Sequence, residues 1–223
     1  MSLHVDRAIE EAISRQLGGD GNWSTEQLES LTVLHVSHAR ELEGLLLCPN
    51  LEGLILVGCE LTSLRALPLL ESLVSLTVED SSLVDLSGIE SFELYTLRVA
   101  RNFIRELAPL LNQARLKRAD LRGNPLSEQA YTVAIPKLLS RGVDITSSAA
   151  REWHLTRRLH DSGLPFSFYR ATDGYRLSRP GLSLTERPEA DHPIVEPDEL
   201  ERLLANSLGA VEDLFDRGDL SWP

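Results

Sequence analysis

Apolar residues recur along this chain on a period longer than that of a helix or a strand. Between Leu31 and Leu126 the pattern L-x-x-L-x-L-x-x-(N/C)-x-L appears five times, with first positions at Leu31, Leu51, Leu73, Leu94 and Leu116, spaced by 20, 22, 21 and 22 residues. The fourth positions are Leu34, Leu54, Leu76, Leu97 and Ala119, and the sixth are Val36, Leu56, Val78, Val99 and Leu121. Apolar residues two apart mark a short strand with one face turned inward. Return of that strand every 20 to 22 residues marks successive turns of a solenoid, each burying its apolar side against its neighbours. Leucine makes up 26 of the 96 residues from 31 to 126. So short a period leaves no room for a full helix in every turn, and short convex segments are expected.

The flanks carry different periods. At the start, Val5, Ile9, Ile13 and Leu17 lie on one side of an amphipathic helix that stops at Gly18-Gly19. Ser24 or Thr25 then caps a short helix carrying Leu28. Past residue 146 the repeat ceases. Residues Ser147 to Ser162 read as a helix with Ser147 or Ser148 as N-cap, Gly163 as stop and Trp153, Leu155 and Leu159 as apolar positions. PFSFYRATDGYRLSRPG reads as a hairpin pairing Arg170 with Tyr175 and Phe168 with Leu177, which puts Phe166, Phe168, Tyr175 and Leu177 on one face. A polar, proline-broken stretch from Thr185 to Glu196 leads to a final helix opened by Pro197, with Leu200, Leu203, Leu204, Leu208, Val211 and Leu214 as its stripe.

Repeats such as LEGLILVGCELTSLRALPLLES and LYTLRVARNFIRELAPLLNQAR resemble the 22-residue, internalin-like class of bacterial leucine-rich repeat proteins. The opening VDRAIEEAISRQLGGDGNWSTEQLESLTVLHVS is similar to the helical cap of such arrays, and NPLSEQAYTVAIPKLLSRGVDI to their final helix and last strand. The resemblance covers roughly residues 3 to 146. It implies an α/β fold: a right-handed leucine-rich repeat solenoid with a parallel concave sheet, a helical cap over 1–30 and an array over 31–146. Residues 147–223 read as a small α+β module resembling no family. In the family the ninth position usually holds Asn, or Cys as a weaker substitute, bonding the backbone of adjacent turns. The series here is Ala39, Cys59, Ser81, Asn102 and Asn124, so this ladder should be weakest at the start.

Composition narrows the function classes. Asp6, Glu10, Glu11 and Asp20 interrupt the first 20 residues, so no secretory signal is expected, and no apolar stretch is long enough to span a bilayer. A cytoplasmic location follows as an expectation, with Cys48 and Cys59 as buried free thiols. The net charge of −12 argues against nucleic acid and anionic membrane as partners. The charge is polarised: residues 95 to 122 carry a net of +5 (7 basic, 2 acidic), and residues 186 to 223 a net of −8 (11 acidic, 3 basic).

Catalytic motifs are not found: there is no GxGxxG, Walker loop, HExxH, CxxC or GxSxG, and no cofactor or metal is implied. Asp191-His192 falls in the polar stretch and reads as solvated, and Asp120 between Arg118 and Arg122 reads either as an acid held by its basic neighbours or as one half of a cross-strand ion pair. Strand residues not used by the core are the candidate contacts for a protein partner. They are His35, Ile55, Thr77, Glu79, Asp80, Tyr95, Arg98, Arg101, Arg118, Asp120 and Arg122, passing from an apolar end through an acidic centre to a basic end. About five strands at ~4.8 Å spacing give a face of roughly 20 to 25 Å, the scale of a protein interface. A non-catalytic protein-binding module, by analogy regulatory or toxin-neutralising, is the leading reading. The alternative makes the C-terminal module an enzyme or small-ligand domain, which a polar pocket among residues 147–223 would favour.

Overall fold

A computed structural model describes residues 5–19, 21–181 and 192–216. Its centre is a six-stranded parallel sheet in strict chain order: β1 Val33–Ser37, β2 Gly53–Val57, β3 Ser75–Glu79, β4 Thr96–Arg98, β5 Arg118–Asp120 and β6 Asp144–Thr146. The register stacks Leu34, Leu54, Leu76, Leu97, Ala119 and Ile145 as one column, and Val36, Leu56 and Val78 as another. These are the fourth- and sixth-position columns of the repeat. Single 3-10 turns at Glu43–Leu47, Leu64–Ala66, Ile89–Ser91 and Ala108–Asn112 return the chain, burying Leu45, Leu64, Ile89 and Leu110. The array is therefore a leucine-rich repeat solenoid on its own geometry.

Helix α1 (Arg7–Leu17) closes the first turn with Ile9 and Ile13 fully buried, and α2 (Thr25–Glu29) starts in a capping box between Ser24 and Gln27. The last turn carries a longer helix: a π segment, Ala130–Ala134, runs into α3, Ile135–Ser140. Pro136 has no N–H to give the preceding turn, and the widened π segment lies next to it.

Beyond the array, α4 (Ala150–Asp161) packs on a hairpin of β7 (Ser167–Ala171) and β8 (Gly174–Ser178), with α5 (Pro197–Asn206) and α6 (Leu208–Asp216) behind. The hairpin register pairs Phe168 with Leu177 and Arg170 with Tyr175, as read from the sequence. Phe166, Phe168, Leu177, Leu200, Val211 and Leu214 form a second apolar cluster.

Two expectations change, and the apolar Trp153 proves to serve the array. Neither Ser147 nor Ser148 caps α4: Ala149 is the cap residue, its N–H bonded to Glu152, while the Ser148 hydroxyl accepts the Gly123 N–H at 2.9 Å. The final helix is two helices, broken at the extended Ser207, so Leu208 leaves the stripe and is 39% exposed. Trp153 packs into the core of the array, not of the module, and its Nε1 donates to the Leu126 carbonyl at 2.8 Å.

Candidate protein-binding groove

The eighth residue of each repeat ends its strand in the left-handed region: φ is 66° at His38, 60° at Gly58, 47° at Asp80, 55° at Arg101 and 69° at Gly123. Glycine adopts this conformation freely, while other residues do so at a cost of about 1 kcal/mol or more. Asp80 and Arg101 bear that cost on adjacent turns, and their side chains meet. Arg101 Nε lies 2.9 and 2.8 Å from the two Asp80 oxygens, and its Nη2 reaches Glu79 Oε2 at 2.9 Å. Burial works against the charge of Arg101, but the neighbouring charges of Asp80 and Glu79 and the bonds to Asp80 outweigh it and hold its pKa above the ordinary arginine value.

The hairpin closes this pair from above. Ser178 Oγ donates to Asp80 Oδ1 at 2.6 Å, the Gly181 N–H donates to the Asp80 carbonyl at 3.1 Å, and the Tyr169 ring lies 4.8 Å beneath the Arg101 guanidinium. The Tyr169 hydroxyl shares a 2.9 Å hydrogen bond with His192 Nδ1, and His192 Nε2 stands 3.8 Å from Asp80 Oδ1. Asp80 is 2%, Arg101 5% and His192 6% exposed. Two sequence-level expectations are thus revised. Asp80 is buried inside the molecule, Arg101 is bonded to it while still lining the groove, and His192 is buried instead of solvated; Asp191 lies outside the described residues. A hydroxyl–imidazole pair could serve proton transfer, but here both members are buried, and Tyr169 lies against Arg101.

Around this closed centre a groove of about 1640 Å³ stays open between the sheet and the overhanging hairpin. It includes Ile55, Thr77, Glu79, Arg98, Arg101, Arg118, Asp120 and Arg122 from the expected set, and adds Arg170, Asp173 and Arg176 from the hairpin. Tyr95 is 51% exposed and His35 is exposed, though neither lines the groove. Asp120 is paired with a basic neighbour two residues on, not across strands: Arg122 Nη2 donates to its Oδ2 at 2.6 Å, a bond that raises the Arg122 pKa. Arg176 is likewise held by Asp173 and by the His192 carbonyl. The hairpin arginines had no signal in the repeat pattern. By the hairpin register Arg176 shares a face with Tyr169, whereas Arg170 shares the face of Phe168 and Tyr175.

Among the described residues no group of three His, Cys, Asp or Glu side chains is placed to hold a metal, and no helix is long and apolar enough to cross a membrane. Cys48 and Cys59 are free and buried, and burial pushes both thiols up to about 11.

No family model and no curated protein matches the sequence. Among solved structures, the chain is similar to the internalin InlF of Listeria monocytogenes, at 18% identity and a TM-score of 0.39, over 69% of this chain and 60% of that one. It is also similar to internalin C2 of the same species, at 17% identity and a TM-score of 0.37, over 65% of this chain and 87% of that one. The chain thus spans less than two thirds of the InlF structure's length. The repeat assignment rests on the periodicity and sheet register described above.

Proposed function

We propose that this chain is a non-catalytic interaction module that binds a protein partner in the groove between the sheet and the hairpin. The observation that carries this reading is the groove's size. At about 1640 Å³ it exceeds the roughly 300–1,000 Å³ of a small-molecule pocket and suits a segment of polypeptide. The pocket is also shared: the sheet supplies its floor and the hairpin its wall, whereas a ligand domain confined to residues 147–223 would enclose its own site.

Paired affinity captures from cells that encode the protein test this. Wild-type chain should retain a protein that Arg98→Glu/Arg118→Glu fails to retain, at equal melting temperature, because both side chains are exposed. Equal capture by both baits would move the site off the groove. Arg122 is the poorer probe, since Asp120 already holds it.

A further inference from the structure

The molecule has two apolar cores that share almost nothing. One runs the length of the array, the other lies between α4, the hairpin, α5 and α6, and among the described residues Trp153 alone passes from the module into the first. Trp153 is fixed there by its stack on Tyr131 and its bond to the Leu126 carbonyl. The far end of α4 meets the array more lightly, through His160 edge-on to Phe103 and the exposed pair of Arg105 with Asp161 at 3.7 Å. All these anchors belong to α4.

The hairpin touches the array at the eighth-position column, and there the contact is polar. Ser178 and the Gly181 N–H both donate to Asp80, the Tyr169 ring lies against Arg101, and Ser167 sits on Gly123 so closely that a Cβ on the glycine would stand 3.3 Å from its own. The stronger bonds stay on their own sides of this seam. Asp80, Glu79 and Arg101 are paired within the array, and Tyr169 with His192 within the module, His192 Nε2 standing 3.8 Å from Asp80. Parting the seam therefore leaves the ion pairs whole and lets water replace the crossing hydrogen bonds, a compensation that an apolar interface lacks. We infer that the module is a hinged jaw, which swings about α4 with both cores folded and is held shut over the groove by the contacts on Asp80, Arg101 and Gly123. The left-handed backbone of Asp80 and Arg101 fits this role, since such strain persists where the surroundings hold it and marks sites that switch. The inference concerns access to the groove and stands whether or not the occupant is a protein.

Ser167→Cys puts a thiol into the seam: Ser167 is fully buried and its hydroxyl has no hydrogen-bond partner, so the exchange breaks no bond. The buried Cys48 and Cys59 are controls within the array. With a thiol reagent below the urea transition, the introduced thiol should react about tenfold faster or more than either cysteine. Its rate should rise little with urea, because opening the seam exposes far less surface than unfolding does. Ser178→Ala should speed that reaction about tenfold, the worth of a hydrogen bond to a charged group. Ile13→Val, at a fully buried site of the array core, should speed Cys48 and Cys59 and not the introduced thiol. Amide exchange in the unsubstituted chain separates a swinging jaw from a melting one. The Gly181 N–H, which crosses to Asp80, should exchange ahead of the Phe168 N–H, which bonds to Thr156 inside the module. One rate and one urea dependence for all three thiols, an introduced thiol indifferent to Ser178→Ala, or Gly181 and Phe168 exchanging together would overturn the inference. If Ser167→Cys does not fold, the two amides decide alone.

Discussion

Asp80 shows how the same residue reads differently in the pattern and in the fold. By position it belongs to the outward column of the array, and the repeat offers no reason to bury it. What buries it lies 98 residues further on, in Ser178 and its hairpin, where no local period can reach. A signal was nonetheless present: the eighth column holds Gly58 and Gly123, and two oppositely charged residues replace glycine there on consecutive turns. Removing one partner of a buried pair strands the other charge, at a cost of about 3 kcal/mol or more. Asp80→Ala should therefore lower urea-denaturation stability by about 3 kcal/mol, Glu79 retaining part of the compensation. Asp120→Ala removes a pair whose arginine is 39% exposed, and its loss should be about 1 kcal/mol or less. Equal effects would deny the buried cluster its structural role.

At the scale of elements, the ladder of ninth positions was legible almost bond by bond. Asn102 donates to the carbonyls of Val78, Val99 and Ala100 and accepts from the Leu83 N–H, and Asn124 repeats the arrangement one turn on with Val99, Leu121, Arg122 and Ile104. Ser81 makes two bonds, to the Cys59 N–H and the Glu79 carbonyl, and Cys59 offers only long sulfur contacts of 3.6 and 3.8 Å. Ala39 contributes nothing polar. What the pattern did not show is the substitute at that end: Asp6, already the N-cap of α1, accepts from the N–H groups of Arg40 and Glu41 at 2.8 and 3.1 Å. The cap helix thus does for the first turn what an asparagine does for later ones. Each stranded buried group costs about 1–3 kcal/mol, so Asn102→Ala should destabilise more than Ser81→Ala. Asp6→Ala should speed amide exchange at Arg40 and Glu41 while leaving Leu83 and Ile104 protected. The break at Ser207 was legible only afterwards: its hydroxyl accepts the Ala210 N–H at 3.4 Å and starts α6, a weak cap that a continuous leucine stripe had masked.

For the whole molecule, the net −8 of residues 186 to 223 and the net +5 of residues 95 to 122 pose the question whether the acidic segment reaches back to the basic strands or its last helix packs by its leucine stripe. The described part of that segment is part of the module. Asp198 and Glu201 pair with Arg151 of α4, and Leu200, Val211 and Leu214 are buried. Residues 182–191 and 217–223, which carry the rest of the acidic charge, lie outside the described residues. The junction between array and module is aromatic as well as ionic: Trp153 stacks on Tyr131 with ring centroids 4.1 Å apart, and His160 meets Phe103 edge-on at 5.6 Å. This makes pH a test of the junction. Burial first, and the nearby Arg105 second, push the His160 pKa down from 6.5 to about 4. The folded state thus keeps this imidazole neutral while the unfolded chain takes up a proton below pH 6.5. Above that pH the group does not affect stability; from about 6.5 to about 4 it destabilises progressively, by at most about 1.4 kcal/mol per pH unit, and below about 4 the penalty levels off. Asp85 and Asp173, whose pKa values are lowered from 3.8 mainly by bonds from Ser87 and Arg176, add their losses only at lower pH. His35, also lowered by burial and by Arg15, acts with the same sign as His160. Comparing His160→Asn with wild type across this range therefore isolates the junction. The variant should show a shallower fall in urea-denaturation stability between pH 6.5 and 4, and parallel curves would mean that His160 is solvated in the folded protein.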